Sequence, residues 1–239
     1  MHFGIGFDFD HTLGIDNKIE RVAFLRLLDR LQITGVGAMS EEQETAAIDA
    51  LLNEQRSGKY TIDEAVTRFV RARMQGVGDC AEYIRWYKET VLDTVDDFVV
   101  PLPGAVEMLV ALKARQVPVA LLSNGWSPLQ ARKAARVGFQ GPVLVSDQIG
   151  TQKPNPLAFE SLLSALRLPA SQVFYVGDNP LIDIDGCMQV GIRSVWLDAE
   201  GIVYPTQLPK PSRTIHALSE LLSVLPGPTQ TERRSRAHE

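Results

Sequence analysis

Cysteine is scarce in this sequence, which carries only Cys80 and Cys187 among its 239 residues. The two lie far apart and form no CxxC pair, so a disulfide framework and a thiolate zinc site are both disfavoured. That cysteine usage fits a reducing compartment. The sequence also lacks a signal-peptide pattern and any apolar run long enough to span a bilayer. We therefore expect a cytoplasmic protein with no membrane partner.

Sustained basic stretches are missing as well, and the formal net charge is -5. Proteins that bind nucleic acid through its phosphate backbone need clustered lysine and arginine, so we expect no nucleic-acid partner. The clearest basic run, Arg233 to Arg236, lies within residues 226–239, where two prolines and few apolar side chains predict a flexible tail. No feature of the sequence indicates an oligomeric state.

The apolar content of 45% is ample for a folded core, and its distribution predicts the fold class. Apolar, β-branched runs that are followed by turn signals predict buried parallel strands at residues 3–7, 117–122, 143–146, 173–176 and 194–197. Helical patterns separate the last four, and two of these helices are predicted to begin at Ser127-Pro128 and Asn155-Pro156, each with a capping residue before proline. Strands that alternate with helices predict an α/β fold with a Rossmann-like, doubly wound parallel sheet.

Residues 14–98 interrupt this alternation, because they contain helical patterns and no strand pattern. Thr61-Ile62-Asp63-Glu64, for example, has the form of a capping box that opens a helix. We therefore predict an inserted all-α domain at 14–98, with a catalytic core formed by 1–13 and 99–225. The chain would cross between the two near Gly14 and near residues 96–103.

Polar residues follow four of the predicted strands, and ligands of open α/β sheets bind at the carboxyl ends of strands. Taken singly, each is weak evidence, because an Asp-x-Asp can cap a helix and a loop lysine is usually solvated. Several clustered carboxylates, however, repel one another unless a divalent cation and a lysine neutralise them. The candidate site residues are Asp8, Asp10, Thr12, Ser123, Asn124, Lys153, Asp178 and Asp183.

In order, spacing and strand context, these residues resemble the signature of the haloacid dehalogenase-like hydrolase superfamily. The helical insert resembles the type-1 cap of that family, in which Gly58 to Thr61 precede the third cap helix. The resemblance implies a Mg²⁺-dependent phosphatase that acts on a small phosphorylated metabolite through an aspartyl-phosphate intermediate.

The resemblance also implies roles for the residues that meet the substrate. Asp8 would be the nucleophile, and Asp10 would be the general acid and then the general base. Thr12 would orient the first loop through its hydroxyl group, and Ser123 would hydrogen-bond the phosphoryl group. Lys153 would pair with the phosphoryl charge and with Asp8. Asn124 completes the predicted phosphate-binding set.

For the metal, the resemblance implies Mg²⁺ held by Asp8, Asp178 and the backbone carbonyl of Asp10. Asp183 would support this set through water or through Lys153. Such oxygen ligands suit a hard cation.

Three alternatives stay open. The 2-haloacid dehalogenases of the family lack the second aspartate and work without metal, so Asp10 favours phosphoryl transfer. A sugar phosphomutase would use the same Asp8 and Asp10. A non-catalytic binding protein of this fold would be expected to have lost Asp8, Asp10 or Lys153, all of which are present.

A run after Ser123 also resembles the branch that holds pyrimidine nucleotidases and acylneuraminate-9-phosphatases, which implies nucleotides or sugar phosphates as substrates. That run consists of Asn124-Gly125, Gln130, Lys133 and Gly138. Trp126 could stack on a base or sugar, or pack against the cap. The cap residues Tyr60, Arg56, Arg85 and Trp86 are left outside the predicted site.

Overall fold

The computed structural model describes residues 3–31, 39–74 and 76–226, and its centre is a six-stranded parallel sheet. The strands lie in the order β5 (Val143–Val145), β4 (Val119–Ser123), β1 (Gly4–Phe7), β6 (Val173–Gly177), β7 (Arg193–Leu197) and β8 (Arg213–Ile215). The chain thus runs outward from β1 in both directions, as in doubly wound folds. The prediction of an α/β class with a Rossmann-like sheet is confirmed.

Both faces of this sheet are covered, because the central strands are apolar throughout and buried throughout. The covering helices are α6 (Ala105–Ala114), α7 (Leu129–Arg136), α8 (Ser146–Ile149), α9 (Pro156–Leu166), α10 (Gly186–Gln189) and α11 (Leu221–Val224), with a π-helical turn at Pro180–Asp185. Asn155 caps α9 as predicted, its side chain accepting from the N–H of Leu157 at 3.0 Å. The predicted Ser127 cap is wrong, since α7 begins at Leu129 with Pro128 as the capping residue.

A group of helices lies between β1 and β4 in the chain, and we call it the helical insert. Its helices are α1 (Ile19–Arg30), α2 (Glu41–Arg56), α3 (Ile62–Arg71), α4 (Ala81–Asp93) and α5 (Val95–Phe98). Phe24 lies at its centre, with ring centroids 4.9 Å from Phe69 and 4.5 Å from Tyr87. The predicted capping box at Thr61 is present, with both reciprocal hydrogen bonds to Glu64.

The helical insert is joined to the sheet by a two-stranded antiparallel ribbon that the sequence did not predict. Its strands are β2 (Gly14–Ile15) and β3 (Val100–Pro101), so the expectation of no strand within residues 14–98 is wrong. The Leu102 N–H also donates to the Leu13 carbonyl at 2.9 Å, and the Asn17 amide donates to the Phe98 carbonyl at 2.6 Å. The two crossings between insert and sheet are therefore tied to each other.

The edge strand β8 was also not predicted, while the predicted tail lies outside the described residues from 227 onward. Within the described part of the chain, none of the helices combines the length and the apolar character needed to cross a membrane.

Candidate active site

The candidate residues lie where the central strands β4, β1 and β6 end. These three strands are hydrogen-bonded neighbours in parallel, so their carboxyl ends open on the same edge of the sheet. Asp8 follows β1, Ser123 closes β4, and Asp178 follows β6. The register therefore brings together groups that are far apart in the sequence, as ligand sites of such sheets require.

Lys153 is the centre of the hydrogen bonding at this edge. Its ammonium group is buried and donates to Asp8 Oδ1 at 2.5 Å, to Asp183 Oδ1 at 2.7 Å and to the Tyr175 hydroxyl at 3.1 Å. Tyr175 in turn donates to the Leu122 carbonyl at 3.0 Å, which fixes the hydroxyl as an acceptor for the lysine. A buried lysine is tolerated only when it is paired in this way.

Asn124 holds the backbone of Lys153 from the neighbouring loop. Its amide group donates to the Lys153 carbonyl, and its Oδ1 accepts from the Lys153 N–H, both at 2.9 Å. The side chain of Asn124 is thus committed to positioning Lys153. The predicted contact with a phosphoryl group is then left to the backbone of Asn124 or to the second hydrogen of its amide group.

The carboxylates in this cluster are costly to ionise together. Burial raises the pKa of Asp8 to about 6, although the charge of Lys153 opposes the rise. Burial, with the charges of Asp8 and Asp183 adding to it, raises the pKa of Asp178 to about 8. For Lys153, burial favours the neutral amine, but the charges of Asp183 and Asp8 raise its pKa well above the ordinary value.

A divalent cation fits this set of donors. One carboxylate oxygen from each of Asp8, Asp178 and Asp183 lies within 4.8 Å of the others. Three carboxylates face the single ammonium group of Lys153, so a doubly charged cation would balance the remainder. The ligands are oxygens, which Mg²⁺ and Ca²⁺ prefer. Asp183 is also oriented by its contacts, since Oδ1 binds Lys153 and Oδ2 accepts from the Asn179 N–H at 3.1 Å.

Asp10 lies apart from this carboxylate cluster and has its own lysine. Its Oδ1 accepts from the Lys133 ammonium group at 2.5 Å, and Lys133 also donates to Asp16 Oδ2 at 3.0 Å. The side chain of Asp10 remains 38% exposed, whereas that of Lys133 is 1% exposed. Two aspartates that are two residues apart in the sequence therefore face different cations.

Thr12 and Ser123 are buried beneath the site. The Thr12 hydroxyl has no hydrogen-bond partner among the described residues, so the predicted orienting bond is not made. The backbone N–H of Thr12 instead donates to the Phe9 carbonyl at 3.1 Å. In the described part of the chain, the Ser123 hydroxyl makes one hydrogen bond, a long one of 3.4 Å to the Asn124 carbonyl, and so is weakly held.

Trp126 is packed between the sheet and the helical insert. It is 3% exposed, and its indole N–H donates to Glu20 Oε1 of α1 at 3.0 Å. The ammonium group of Lys88, on α4, lies 5.6 Å from its ring centroid. Trp126 therefore packs against the insert, the second of the two roles considered for it, rather than being exposed for stacking on a base or sugar. Tyr60 likewise bonds within the insert, its hydroxyl donating to the Leu51 carbonyl at 3.0 Å.

Sequence reasoning left out Glu20 and Lys133 as site residues, although both are buried charges beside it. Burial raises the pKa of Glu20, while Arg56, 3.5 Å away from its Oε2, opposes the rise. A usable signal existed in each helix. Glu20 falls among the buried positions of α1, and Lys133 stands four residues after the buried Leu129 of α7, on the same face. A charge on an apolar face needs a buried partner.

Comparison with known proteins gives consistent matches. The family model described as haloacid dehalogenase-like hydrolase matches residues 5–197. The pyrimidine 5'-nucleotidase YjjG of Escherichia coli is 30% identical over 141 residues, which cover 57% of this chain and 62% of that protein. The pyrimidine 5'-nucleotidase PynA of Streptococcus pneumoniae is 25% identical over 229 residues, covering 92% and 93% of the two chains.

Among solved structures, the 2-haloacid dehalogenase of Pseudomonas syringae is similar with a TM-score of 0.70. It is 26% identical, and the match covers 94% of this chain and 98% of the other. The similarity thus extends over the sheet and the helical insert together.

Proposed function

This chain belongs to the haloacid dehalogenase-like hydrolases, and from that premise we propose that it is a Mg²⁺-dependent phosphatase of small phosphorylated metabolites, such as nucleotides or sugar phosphates. The observation that carries the proposal is the contact of Lys153 with both Asp8 and Asp183, beside Asp178. Phosphoryl transfer requires in-line positioning and charge neutralisation above all, and the charges of this cluster support the second requirement. The nucleotidase relatives support nucleotides as the first substrates to test.

Asp8 is the proposed nucleophile, attacking phosphorus to form an aspartyl phosphate. Lys153 fixes its Oδ1, which leaves Oδ2 to attack. Mg²⁺ held by Asp8, Asp178 and the Asp10 carbonyl would neutralise charge on the phosphoryl group, with Asp183 supporting that set. The backbone of Asn124 and the weakly held hydroxyl of Ser123 are the proposed phosphoryl contacts.

Asp10 is the proposed proton carrier. It donates a proton to the leaving oxygen in the first step and accepts one from the attacking water in the second. Its partial exposure supports this role, because a group that exchanges protons with substrate and water must reach the open side of the site. The two buried, unpaired cysteines are compatible with a cytoplasmic location, which we also propose.

The test is hydrolysis of p-nitrophenyl phosphate, followed by a panel of nucleotides and sugar phosphates. We expect activity to be lost in EDTA and restored by Mg²⁺. Asp8→Asn should lower turnover by at least about 10³-fold, because an amide cannot attack phosphorus. Asp97→Asn, the same change at an exposed position, is the matched control. Wild-type turnover by a folded Asp8→Asn protein would refute the mechanism.

A second candidate is dehalogenation of a 2-haloacid, which the structural similarity to the Pseudomonas syringae enzyme favours. Both reactions would begin with attack by Asp8. Release of chloride from 2-chloropropionate in EDTA, without hydrolysis of any phosphate ester in Mg²⁺, would decide for the dehalogenase. The presence of Asp10 favours the phosphatase, because halide is a leaving group that needs no proton.

A further inference from the structure

Lys133 is a fully buried cation that the proposed mechanism leaves without a role. It lies on α7, and its side chain is 1% exposed. A lysine is almost never buried without a partner, since removing an ammonium group from water is strongly unfavourable. Its contacts should therefore indicate why an ammonium group is held at this position.

The partners of Lys133 come from two successive segments of the chain. Asp10 follows β1, and Asp16 follows β2, while the ammonium group of Lys133 contacts both at 2.5 and 3.0 Å. It also lies 5.0 Å from the centroid of the Phe9 ring. Lys133 thus holds the segment between Asp10 and Asp16 through a contact at each of its ends. The contact with Asp16 also anchors the ammonium group, so that it does not move with the Asp10 side chain.

We propose that Lys133 is a positioning residue that holds the Asp10 carboxyl group where it can exchange a proton with the leaving oxygen. This inference rests on the proposed phosphatase function. Lys133 binds Oδ1 of Asp10, so that Oδ2 is the atom left for the substrate. A general acid must stay within hydrogen-bond distance of its target, and a partly exposed aspartate without a fixed partner would sample other rotamers.

The chemical step gives Lys133 a signature that a purely structural residue lacks. When an alkyl phosphate reacts, an oxygen of Asp8 forms a bond to phosphorus and the P–O bond to the leaving group breaks. The leaving alkoxide takes the proton from Asp10, which becomes a carboxylate beside Lys133. When p-nitrophenyl phosphate reacts, the phenolate leaves without a proton. Loss of positioning should therefore slow the first step for alkyl phosphates only.

The experiment compares wild type with Lys133→Met on an alkyl phosphate substrate found by the panel and on p-nitrophenyl phosphate. The quantity measured is the first-turnover rate of leaving-group release, in rapid-quench or stopped-flow format with Mg²⁺ present. We expect a fall of about 10²-fold for the alkyl phosphate, the lower end of general-acid contributions, and of less than about 3-fold for the aryl phosphate. Lys133→Arg, which can still bridge two acids, should recover much of the alkyl rate.

Lys113→Met is the matched control, because Lys113 is exposed on α6 and, among the residues that the structure describes, its ammonium group bonds only Gln140, at 2.7 Å. Should Lys133→Met not fold, the double variant Lys133→Met/Asp16→Asn replaces it, since it removes the buried cation together with one of its acids. Equal losses on both substrates, or no loss on the alkyl phosphate, would overturn the inference. A wild-type protein inactive on every phosphate ester would instead overturn the proposed function, and this role with it.

Discussion

Asp178 is a half-buried carboxyl group whose neighbours, Asp8 and Asp183, carry the same charge. Its pKa of about 8 means that the folded protein without metal keeps a proton that the unfolded chain has already released above its ordinary pKa of 3.8. Between these two values, the folded state binds more protons than the unfolded state. The free energy of unfolding must then fall as the pH rises through this window.

The first prediction concerns Asp178→Asn in EDTA. The variant has no carboxylate to ionise at this position, so its stability should decrease less between pH 5 and pH 9 than that of wild type. At pH 9 it should be more stable by at least about 1 kcal/mol, a rise in Tm of roughly 2–4 °C for a chain of this size. Thermal unfolding across the pH range measures both quantities.

Two further measurements test whether the change in pH-dependent stability arises from the carboxylate cluster. Asp97→Asn, at an exposed position, should follow the wild-type curve. Addition of Mg²⁺ should stabilise wild type and leave Asp178→Asn almost unchanged, because the variant lacks one of the proposed ligands. Parallel curves for wild type and Asp178→Asn in EDTA would contradict the prediction.

The residues that sequence reasoning brought together are those that directly follow strands, such as Asp8 and Asp178. A strand that ends at a sheet edge determines where the next side chain lies. A motif that directly follows a predicted strand can therefore be placed at that edge from the sequence alone. Lys133 could not be placed in the same way. It lies in a helix, where a lysine usually faces solvent, and its partners are more than a hundred positions away. Its spacing from Leu129 indicates the buried face of α7. Which acids Lys133 meets there depends on how α7 packs, which local sequence does not determine.

The ribbon of β2 and β3 determines how the helical insert is attached to the sheet. Both crossings pass through it, and their backbones are paired with each other at Gly14↔Pro101 and Ile15↔Val100. Two paired strands resist independent movement, whereas two separate linkers would not. Motion of the insert should therefore occur as bending or twisting of one ribbon.

The second prediction is that Gly14→Ala destabilises the protein. A Cβ atom at Gly14 would lie 2.9 Å from Cζ of Phe9 and 3.1 Å from the Val100 carbonyl oxygen, so the ring or the ribbon must shift. We expect a loss of about 1–3 kcal/mol in the free energy of unfolding, as for overpacking in a core. Denaturant unfolding at constant pH measures it.

Gly78→Ala is the matched control within the helical insert, because a Cβ atom there would meet nothing within 4 Å. Its effect should stay within about 0.5 kcal/mol of wild type. If both variants were equally stable, the ribbon and the Phe9 ring could move apart at little cost, and the prediction for Gly14→Ala would be wrong.

The longer elements were predictable, and so was the three-residue strand β5, but the two-residue strands β2 and β3 were not. Strands such as β4 and β6 are continuous apolar runs with turn signals, and the helix α3 opens with a capping box. The strands β2 and β3 have two residues each, too few for any periodicity to register. They form because the chain leaves the helical insert next to the place where it enters it, so that the two segments can pair. This proximity is a property of the tertiary structure.

For the molecule as a whole, the helical insert contacts the sheet beside the site. The Gln152 amide, in the loop that carries Lys153, donates to the Ser57 carbonyl of the insert at 3.0 Å. Trp126 reaches Glu20 of the insert on another side. A site that is bridged in this way admits a small ligand more readily than a macromolecule.

The third prediction follows from that arrangement and from the proposed function. Free nucleotides or sugar phosphates should be hydrolysed with a kcat/KM at least about 100-fold higher than that for a phosphoserine peptide, because the insert, which contacts the loops beside the site, would obstruct a peptide chain. Steady-state kinetics with both classes under the same Mg²⁺ concentration measure the ratio. p-Nitrophenyl phosphate serves as the control for the chemical step. Comparable efficiency on the peptide would mean that the insert does not restrict access.

Trp126 gives the molecule an optical readout of its own. Its indole belongs to the sheet side, while the carboxylate and the ammonium group that flank it, those of Glu20 and Lys88, belong to the insert. Indole emission responds to nearby charges and to water, so separation of the two parts should shift the fluorescence spectrum. Subtracting the spectrum of a Trp126→Phe protein isolates this signal from Trp86 and Trp196. Movement of the insert could then be timed in solution without attaching a dye.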